Sequence, residues 1–324
     1  MVGLLELFCI LLVLAFVLLV LGLIIIYITT DSMPNLKRYD SEKYFKDPNR
    51  GGSKKEFPSI QDKATKNLSV IVPSYNEEER LPTMLDETLA FLEERLKKES
   101  SLTFEIIVVD DGSRDKTSKV ALDYSKKYGI DKVRVLTLAK NRGKGGAVRL
   151  GVLSARGEYI LFADADGATN FPDIVKLESA IKQINNKHNM KIVCGSRAHL
   201  QEEAVAKRSV FRTILMYGFH FAVMILCQVK GVKDTQCGFK LFSREAAFRT
   251  FYNLHVERWA FDVELLYIAE QLGISPVEVA VNWTEIDGSK MIPVWSWIQM
   301  GKDLLLIRLR YLIGVWKIDR TIKS

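Results

Sequence analysis

The amino-acid sequence predicts an α/β domain with a mostly parallel, doubly wound sheet, preceded by one membrane-spanning helix. Two observations predict the sheet: short apolar runs alternate with helix-like stretches, and each run is followed by polar or glycine-rich residues. A third observation, an uncharged apolar segment near the N-terminus, predicts the membrane helix. With 324 residues and 48% hydrophobic content, the chain can form the core of one large or two modest globular units.

Residues 1–30 are predicted to form an uncleaved signal-anchor. The run from Leu7 to Ile28 is long enough to cross a hydrocarbon core, and Glu6 precedes it where a cleaved signal peptide would carry basic residues. Lysines and arginines follow the run between residues 37 and 55 and none precedes it, so the positive-inside rule predicts a single-pass protein whose remainder faces the cytosol. There the sequons at Asn67 and Asn282 would not be glycosylated, and we interpret both as chance matches.

Residues 31–66 are polar and contain several prolines and glycines, which predicts a linker or loosely packed strap before a domain at 67–324. The formal net charge of +7 is spread along the chain, which suits anionic ligands or a lipid surface and does not indicate nucleic acid. The four cysteines are widely spaced and predict neither a zinc site nor a disulfide framework.

Four apolar runs predict strands at 68–72, 104–109, 133–138 and 159–163, and helix-like stretches at 77–98, 115–127 and 145–154 separate them. Because ligands bind at the carboxyl ends of strands in such a sheet, we expect the residues after each strand to meet at one edge. Those segments are PSYNEEE (73–79), DDGSRD (110–115), AKNRGKGGA (139–147) and DADGAT (164–169).

Asp164 and Asp166 are two carboxylates at the end of the fourth strand. They would repel each other unless a cation or a proton lay between them, and Mg²⁺ is usually held by one or two carboxylates and the phosphates of a ligand. Capping of a turn is the alternative, because Asp often hydrogen-bonds to its own backbone there. The other strand ends expected beside the pair favour Mg²⁺ or Mn²⁺ with a bound diphosphate.

The segment NRGKGGA is neither a Walker A loop nor a dinucleotide fingerprint, because Gly145 follows Lys144 and Val148 occupies the last glycine position. Its glycines still allow backbone N–H groups to approach an anion, and Arg142 and Lys144 add positive charge at a helix N-terminus. A turn with a glycine-rich helix cap is the alternative.

In this order, VIVPSYNEE, IIVVDDGSRD, NRGKGGA and ADADGAT resemble the GT-A nucleotide-sugar glycosyltransferases of glycosyltransferase family 2, which includes the polyprenyl-phosphate sugar transferases. Further matching segments are CGSRAHL (194–200), RSVFRTILMYGFHF (208–221), DTQCGFKLF (234–242), VERWAFDVELLYIA (256–269) and VNWTEIDGSKM (281–291). The resemblance therefore covers the chain from about Leu68 to its end. It implies a GT-A fold and an inverting transfer of glucose from UDP-glucose to dolichyl phosphate at the endoplasmic reticulum membrane, for assembly of the N-glycan precursor.

The resemblance also implies roles for individual residues. The nucleotide sugar would be bound by Pro73, Tyr75, Glu77, Asp110, Asp111, Lys144 and Asp164, and the metal by Asp164 and Asp166. The lipid phosphate would be received by Arg197, Arg208 and Arg212. The sugar and the reacting groups would be lined by Asp166, Arg197, Arg212, Gln236 and Asp262, with Glu264 on the same side. Solvated surface arginines at 208 and 212 and an ordinary core helix at 258–268 are the alternatives, and His199, His220 and His255 are expected to be structural.

A lipid acceptor predicts membrane-associated helices near 208–228 and 293–316, since 214–227 is apolar but short for a span and Trp295, Trp297 and Trp316 suit lipid headgroups. Ordinary packed helices are the alternative, and Lys302, Arg308 and Arg310 argue against a second membrane span. Two other functions are left open: a mannosyltransferase that uses GDP-mannose, and a membrane-anchored protein that binds a nucleotide sugar without turnover. The oligomeric state, a homo-oligomer included, is open as well.

Overall fold

The computed structural model describes residues 3–186, 188–199, 231–286 and 293–321. Helix α1 (Leu4–Thr29) contains the predicted anchor. Its segment Glu6–Thr29 has a mean hydropathy of 3.5 and no buried residue, and within the described ranges it is the one helix long and apolar enough to cross a membrane. The chain thus carries a candidate membrane anchor at its N-terminal end.

A seven-stranded sheet forms the centre of the domain, in the order β5-β4-β3-β6-β8-β7-β9. Strand β8 pairs antiparallel with both neighbours, and every other pair is parallel. The strands are β3 (Lys66–Ser74), β4 (Phe104–Asp110), β5 (Val133–Thr137), β6 (Gly157–Ala163), β7 (Ile192–Ser196), β8 (Phe239–Ser243) and β9 (Val277–Ala280). The mostly parallel sheet predicted from the sequence is confirmed.

Helices cover both faces of this sheet, so successive side chains of the central strands are buried on opposite sides. In β3, Ile71 belongs to one apolar cluster, and Val70 and Val72 belong to the other. This explains the nearly continuous apolar runs, which are typical of strands buried on both faces. The helices are α2 (Leu81–Lys98), α3 (Thr117–Tyr128), α4 (Lys144–Val152), α5 (Ile174–Gln183), α6 (Arg244–Tyr252), α7 (Phe261–Gln271) and α8 (Pro293–Leu312).

The four predicted strands and three predicted helices are all present, with boundaries that differ by a few residues. The largest difference is in α2, which begins at Leu81 instead of Glu77 and has Pro82 in its first turn. Proline is well tolerated there because the first N–H groups of a helix have no partner within it. The preceding residues 77–80 form a turn at the edge of the sheet.

The segment 31–66 packs against the domain more closely than a linker would. It contains a hairpin of strands β1 (Tyr44–Asp47) and β2 (Ser53–Glu56), and Phe45, Phe57 and Ile60 join the apolar cluster on one face of the sheet. Its polar composition comes from exposed residues around these few anchoring side chains. We refer to residues 35–42, between α1 and the hairpin, as the strap.

The C-terminal helix α8 packs on the domain through Met300, Leu304 and Ile307, which recur at the spacing of one helical face. The sequence suggested that Trp316 contacts lipid headgroups, but Trp316 does not lie at such a surface. It is 5% exposed, stacks on His255 with ring centroids 4.3 Å apart, and donates its indole N–H to the Asp31 carbonyl at 3.0 Å. Arg208, Arg212, His220 and the predicted helix near 208–228 lie outside the described residues, as do the side chains of Trp295 and Trp297.

Candidate active site

A cleft of about 500 Å³ opens at the carboxyl ends of β3 and β6. The chain runs outward from β3 to β4 and β5, and returns to the other side of β3 with β6, so this is the switch point at which ligands bind in doubly wound sheets. Most of the predicted site residues line it: Pro73, Tyr75, Glu77, Asp111, Lys144, Asp164, Asp166, Arg197, Gln236 and Asp262.

The carboxylate pair lies in the floor of the cleft. Asp164 receives Lys144 Nζ at 2.6 Å from its Oδ1, and its backbone N–H donates to the Gly238 carbonyl on the neighbouring chain segment at 3.1 Å. Asp166 Oδ1 accepts the Ala168 N–H at 3.0 Å, so this residue does cap its own turn. Burial raises the pKa of Asp166, and the charge of Asp164 raises it further. Burial and mutual repulsion thus disfavour the ionised form of Asp166, and the charges of Lys144 and Arg80 offset this only in part.

These residues fit a divalent cation bound together with a ligand. Within the described ranges there is no group of three or more His, Cys, Asp or Glu side chains that could enclose a metal without help. Two carboxylates facing a cleft suit Mg²⁺ or Mn²⁺, which complete their coordination with water and phosphate oxygens. A cation would also relieve the repulsion that raises the pKa of Asp166.

Lys144 is the first residue of α4 and follows Gly143, which has a φ of +85°. A side chain at Gly143 would be strained by this φ and would place its Cβ 2.7 Å from the Glu257 carbonyl oxygen, which explains the glycine. Burial lowers the pKa of Lys144, but the nearby carboxylates of Asp164 and Asp262 outweigh it and raise the pKa overall. Lys144 is thus a protonated cation at a helix N-terminus facing the cleft.

Asp262 lines the same cleft from α7 and is paired with a lysine that the sequence analysis gave no role. Lys240 Nζ lies 2.6 Å from Asp262 Oδ1 and also donates to the Cys237 carbonyl at 2.7 Å. Burial raises the pKa of Asp262, and Lys240 and then Lys144 oppose this effect. The signal in the sequence was a lysine within an apolar run, between Phe239 and the residues Leu241 and Phe242.

The two aspartates at the end of β4 hold loops. Asp111 accepts the backbone N–H groups of Arg142 at 2.7 Å and Gly143 at 2.8 Å, which fixes the loop 139–143 against β4. Burial raises the pKa of Asp111 to about 6, against the opposing effect of these two hydrogen bonds. Asp110 accepts the Ser113 N–H at 2.9 Å and the Ser118 hydroxyl, and it does not line the cleft. Its predicted contact with uridine stays a prediction.

Arg80 was missed by the sequence analysis, although it lies in the cleft and follows PSYNEEE directly. Its guanidinium makes two 2.7 Å hydrogen bonds to Glu77, so Glu77 holds this cation beside the cleft. Burial lowers the pKa of Arg80, but the Glu77 carboxylate and the two aspartates of the pair outweigh it. Arg80 therefore supplies a second positive charge near Asp164 and Asp166.

Arg197 lines the cleft but already has a carboxylate partner. It contacts Asp234 through two side-chain hydrogen bonds of 2.7 and 2.9 Å, and lies 5.4 Å from the centre of the Trp283 ring. Burial lowers its pKa, but the hydrogen bonds and charge of Asp234 outweigh this and raise it. Gln236 donates to the Met300 sulfur at 2.7 Å, which connects the cleft to α8. This wall of the cleft also contains four residues that were not among the predicted site residues: Arg258, Trp259, Glu285 and Ile286.

Glu264 does not reach the cleft, contrary to the expectation from the resemblance. It lies on α7 and is fully buried, and its carboxylate accepts hydrogen bonds from the N–H groups of His255 and Val256 and from the Tyr311 hydroxyl. Glu264 follows Asp262 by two residues, so the two side chains point to different sides of α7. His255, expected to be structural, contacts Glu264 through Nδ1 at 2.9 Å.

Comparison with known proteins gives a consistent result. The sequence profile of glycosyl transferase family 2 matches residues 69–250. A dolichyl-phosphate beta-glucosyltransferase of Homo sapiens is 63% identical over 306 residues, covering 94% of each chain. Proteins of the same name are 59% identical in Drosophila melanogaster, covering 89% of this chain and 88% of that one, and 46% identical in Saccharomyces cerevisiae, covering 77% and 76%.

Solved structures share the fold at low sequence identity. Glucosyl-3-phosphoglycerate synthase from Mycobacterium tuberculosis in complex with UDP aligns with a TM-score of 0.51 at 19% identity, covering 78% of this chain and 82% of that one. The same enzyme with Mn²⁺, UDP-glucose and phosphoglyceric acid aligns with a TM-score of 0.50 at 21% identity, covering 76% and 80%. The GT-A-like fold predicted from the sequence motifs is confirmed.

Proposed function

Because this chain belongs to glycosyl transferase family 2, we propose that it transfers glucose from UDP-glucose to dolichyl phosphate with inversion, giving dolichyl β-D-glucosyl phosphate and UDP. The observation that carries the proposal is the meeting of two carboxylates and Lys144 in one cleft at the switch point of the sheet. Relatives up to 63% identical, named for this activity, supply the donor sugar and the lipid.

The donor lies with its uridine near Pro73, Tyr75 and the loop that Asp111 holds, and with its diphosphate toward Lys144 and the carboxylate pair. This placement is supported by the lining of the cleft and by the structural neighbours that were solved with UDP. Lys144 can serve the diphosphate because it is protonated and begins a helix, where anions are favoured.

A divalent metal would be held by Asp164 and Asp166. It would supply positive charge to the departing diphosphate, and structural neighbours solved with Mn²⁺ together with UDP or UDP-glucose support a divalent cation here. Lys144 Nζ lies 2.6 Å from Asp164 Oδ1 and lines the cleft, so its ammonium would also be placed to donate to the diphosphate. Arg80, held by Glu77, adds a further cation on the same side.

The acceptor phosphate attacks the anomeric carbon through an oxygen that is already anionic near neutral pH, so it requires no strong protein base. The new bond joins this oxygen to the anomeric carbon, and the bond from that carbon to the diphosphate oxygen breaks with its electron pair. Asp262 is paired with Lys240, and therefore orients groups in the cleft instead of removing a proton. Arg197 approaches the acceptor phosphate while retaining Asp234, which limits the net charge it contributes. Positioning of two anions supplies most of the acceleration.

The apolar wall of the cleft suits a lipid acceptor. Trp259 is 44% exposed at its rim, and Ile286 and Met300 lie beside it. With α1 as the anchor, the catalytic domain faces the cytosol at the endoplasmic reticulum membrane, where UDP-glucose is available. This orientation keeps the basic residues that follow α1 on the cytosolic side, as the positive-inside rule requires. Helix α8 is proposed to approach the lipid interface, and the predicted helix near 208–228 lies outside the described residues.

A panel of radiolabelled donors tests the proposal. Membranes containing the full chain, dolichyl phosphate and either UDP-glucose or GDP-mannose are compared with membranes containing the Asp166→Asn variant. Glucose should enter the lipid fraction only with UDP-glucose and only with the wild-type chain. Transfer of mannose would replace the donor assignment, and binding of UDP-glucose without transfer would indicate a non-catalytic protein.

A further inference from the structure

The loop 139–143, which carries Asn141 and Gly143 into the cleft, is held from two opposite sides. On the cleft side, Asp111 accepts the N–H groups of Arg142 and Gly143, and its carbonyl accepts Asn141 Nδ2 at 3.0 Å. On the other side lies the strap, residues 35–42, which connects the membrane helix to the β1–β2 hairpin. From its composition this segment is predicted to be no more than a linker or loosely packed strap.

Glu42 is the centre of the contact between the strap and this loop. It is fully buried, and its Oε1 accepts the Ala139 N–H at 2.9 Å. Its Oε2 accepts the Arg142 guanidinium at 3.1 Å and the Tyr39 N–H at 3.0 Å. One carboxylate thus holds both ends of the loop, through a backbone amide at its start and a side chain near its end.

The remaining contacts of the strap reach the same region. Arg142 Nη2 also donates to the Lys37 carbonyl at 2.6 Å, and the Tyr39 ring lies 5.5 Å from Lys140 Nζ and 5.8 Å from the Arg142 guanidinium carbon. One turn further along α4, Arg149 donates to the Asn35 carbonyl at 2.7 Å. The strap therefore holds both the loop and the helix whose first residue is Lys144.

We propose that the strap is a positioning element for the nucleotide-sugar donor, with Glu42 as the residue that fixes the loop 139–143 in its binding shape. A buried ion pair such as Glu42 with Arg142 adds little stability compared with apolar side chains of the same size, so stability alone does not account for it. The pair fixes where Asn141, Gly143 and Lys144 lie along the cleft, which is what binding of a diphosphate requires. The proposal rests on the proposed function, since it assigns the loop to the donor.

The test replaces Glu42 in the full chain. Glu42→Gln keeps the size of the side chain, but its amide N–H₂ must then face the Ala139 N–H or the Arg142 guanidinium, both of which are donors. We expect the apparent KM for UDP-glucose to rise about tenfold, with kcat and the KM for dolichyl phosphate within about twofold of wild type. Without nucleotide, the amides of residues 139–143 should exchange hydrogen about tenfold faster than in the wild type.

Two further variants make the result specific. Glu56→Gln is the matched control, because it makes the same chemical change at an exposed position on β2 of the adjoining hairpin, away from the loop. Both the KM for UDP-glucose and the hydrogen exchange of the loop should therefore be unchanged in this variant. Tyr39→Leu tests the strap even if Glu42→Gln fails to fold, because Tyr39 is 41% exposed and the buried carboxylate keeps its partners. It should raise the KM for UDP-glucose about threefold.

Unchanged exchange in the loop together with an unchanged KM would overturn the proposal. A loss confined to kcat, accompanied by a lower unfolding temperature, would also overturn it, because it would show a structural role only. The hydrogen-exchange measurement needs no substrate. If wild-type protein failed to transfer glucose, the proposed function would fail while the effect of the strap on the loop could still be read.

Discussion

Replacing Gly238 by alanine should disable the carboxylate pair without unfolding the domain. Gly238 begins the approach to β8, and an ideal Cβ at this position would lie 2.1 Å from Asp164 Oδ2, 2.3 Å from its Cγ and 2.5 Å from its Oδ1. Gly238 is not among the described glycines with positive φ, so the backbone itself accepts an alanine. The collision is therefore with the end of one rotatable side chain and not with the backbone.

The size of the effect follows from these distances. The shortest is about 1.3 Å less than the 3.4 Å at which ordinary contact begins, so the Asp164 carboxylate has to move by roughly 1 Å. A displacement of that size at a catalytic site costs about a hundredfold in rate. We expect kcat/KM for UDP-glucose to fall by about this factor, and the metal concentration for half-maximal activity to rise. The unfolding temperature should change little, because the carboxylate can rotate into the cleft.

The assay is transfer of radiolabelled glucose from UDP-glucose to dolichyl phosphate over a series of Mg²⁺ and Mn²⁺ concentrations, with thermal unfolding measured on the same preparations. Gly301→Ala is the control, because Gly301 lies in α8 with no atom within 4 Å of the added Cβ. That variant should be as active as wild type and stabilised by about 0.5–1 kcal/mol. A folded Gly238→Ala protein with activity within about threefold of wild type would refute the placement of Asp164 at the reaction centre.

Four other predictions follow from the site and the anchor. Asp166→Asn should reduce turnover about a hundredfold while preserving the fold, since it removes about 3 kcal/mol of stabilisation of the leaving diphosphate; full activity in EDTA would contradict this. Arg197→Ala should raise the KM for dolichyl phosphate and spare UDP-glucose, and should lower the free energy of unfolding by about 3 kcal/mol because the buried Asp234 loses its partner. Asp234→Asn should affect stability less, and equal loss of donor affinity would refute the acceptor role. The folded-state pKa of Asp111 is about 6, above its usual 3.8, so the contribution of this group to stability is full below pH 3.8 and is lost as the pH rises through 6. Binding of the donor requires the ionised form of Asp111, so the KM for UDP-glucose should rise below pH 6. An Asp111→Asn variant should lack this pH dependence. Removing residues 1–30 should leave transfer activity in detergent and some membrane affinity, and protease added to sealed microsomes should digest the full-length domain without detergent; protection would place it in the lumen.

Patterns along the chain were enough to predict the framework of the site. Apolar runs alternating with helical stretches predicted four strands and their mostly parallel arrangement, because buried parallel strands need continuous apolar residues and helical crossovers. The direction in turn determined which residues meet, since everything after a parallel strand lies at the same edge. Asp111, Lys144, Asp164 and Asp166 could therefore be placed in one cleft from their positions in the chain.

Which charges are partnered is visible only in the folded chain, because ion pairs between segments far apart in the chain leave no local pattern. Arg197 with Asp234 and Asp262 with Lys240 join such segments. Glu264 lies only two residues from Asp262, yet it is turned into the core by the rotation of α7. Burial of a polar side chain is decided by what packs around it, which sequence spacing does not specify.

The segment 31–66 shows the same division most clearly. Its polar composition predicted a linker or loosely packed strap, but composition averages over residues and does not reveal that Glu42 is fully buried. That carboxylate is buried because it accepts N–H groups from Ala139 and Arg142, nearly a hundred residues away, and such partners exist only once the sheet has formed. The sequence thus determined the fold and the chemical groups at the edge of the sheet, whereas long-range packing decided how those groups are held and neutralised.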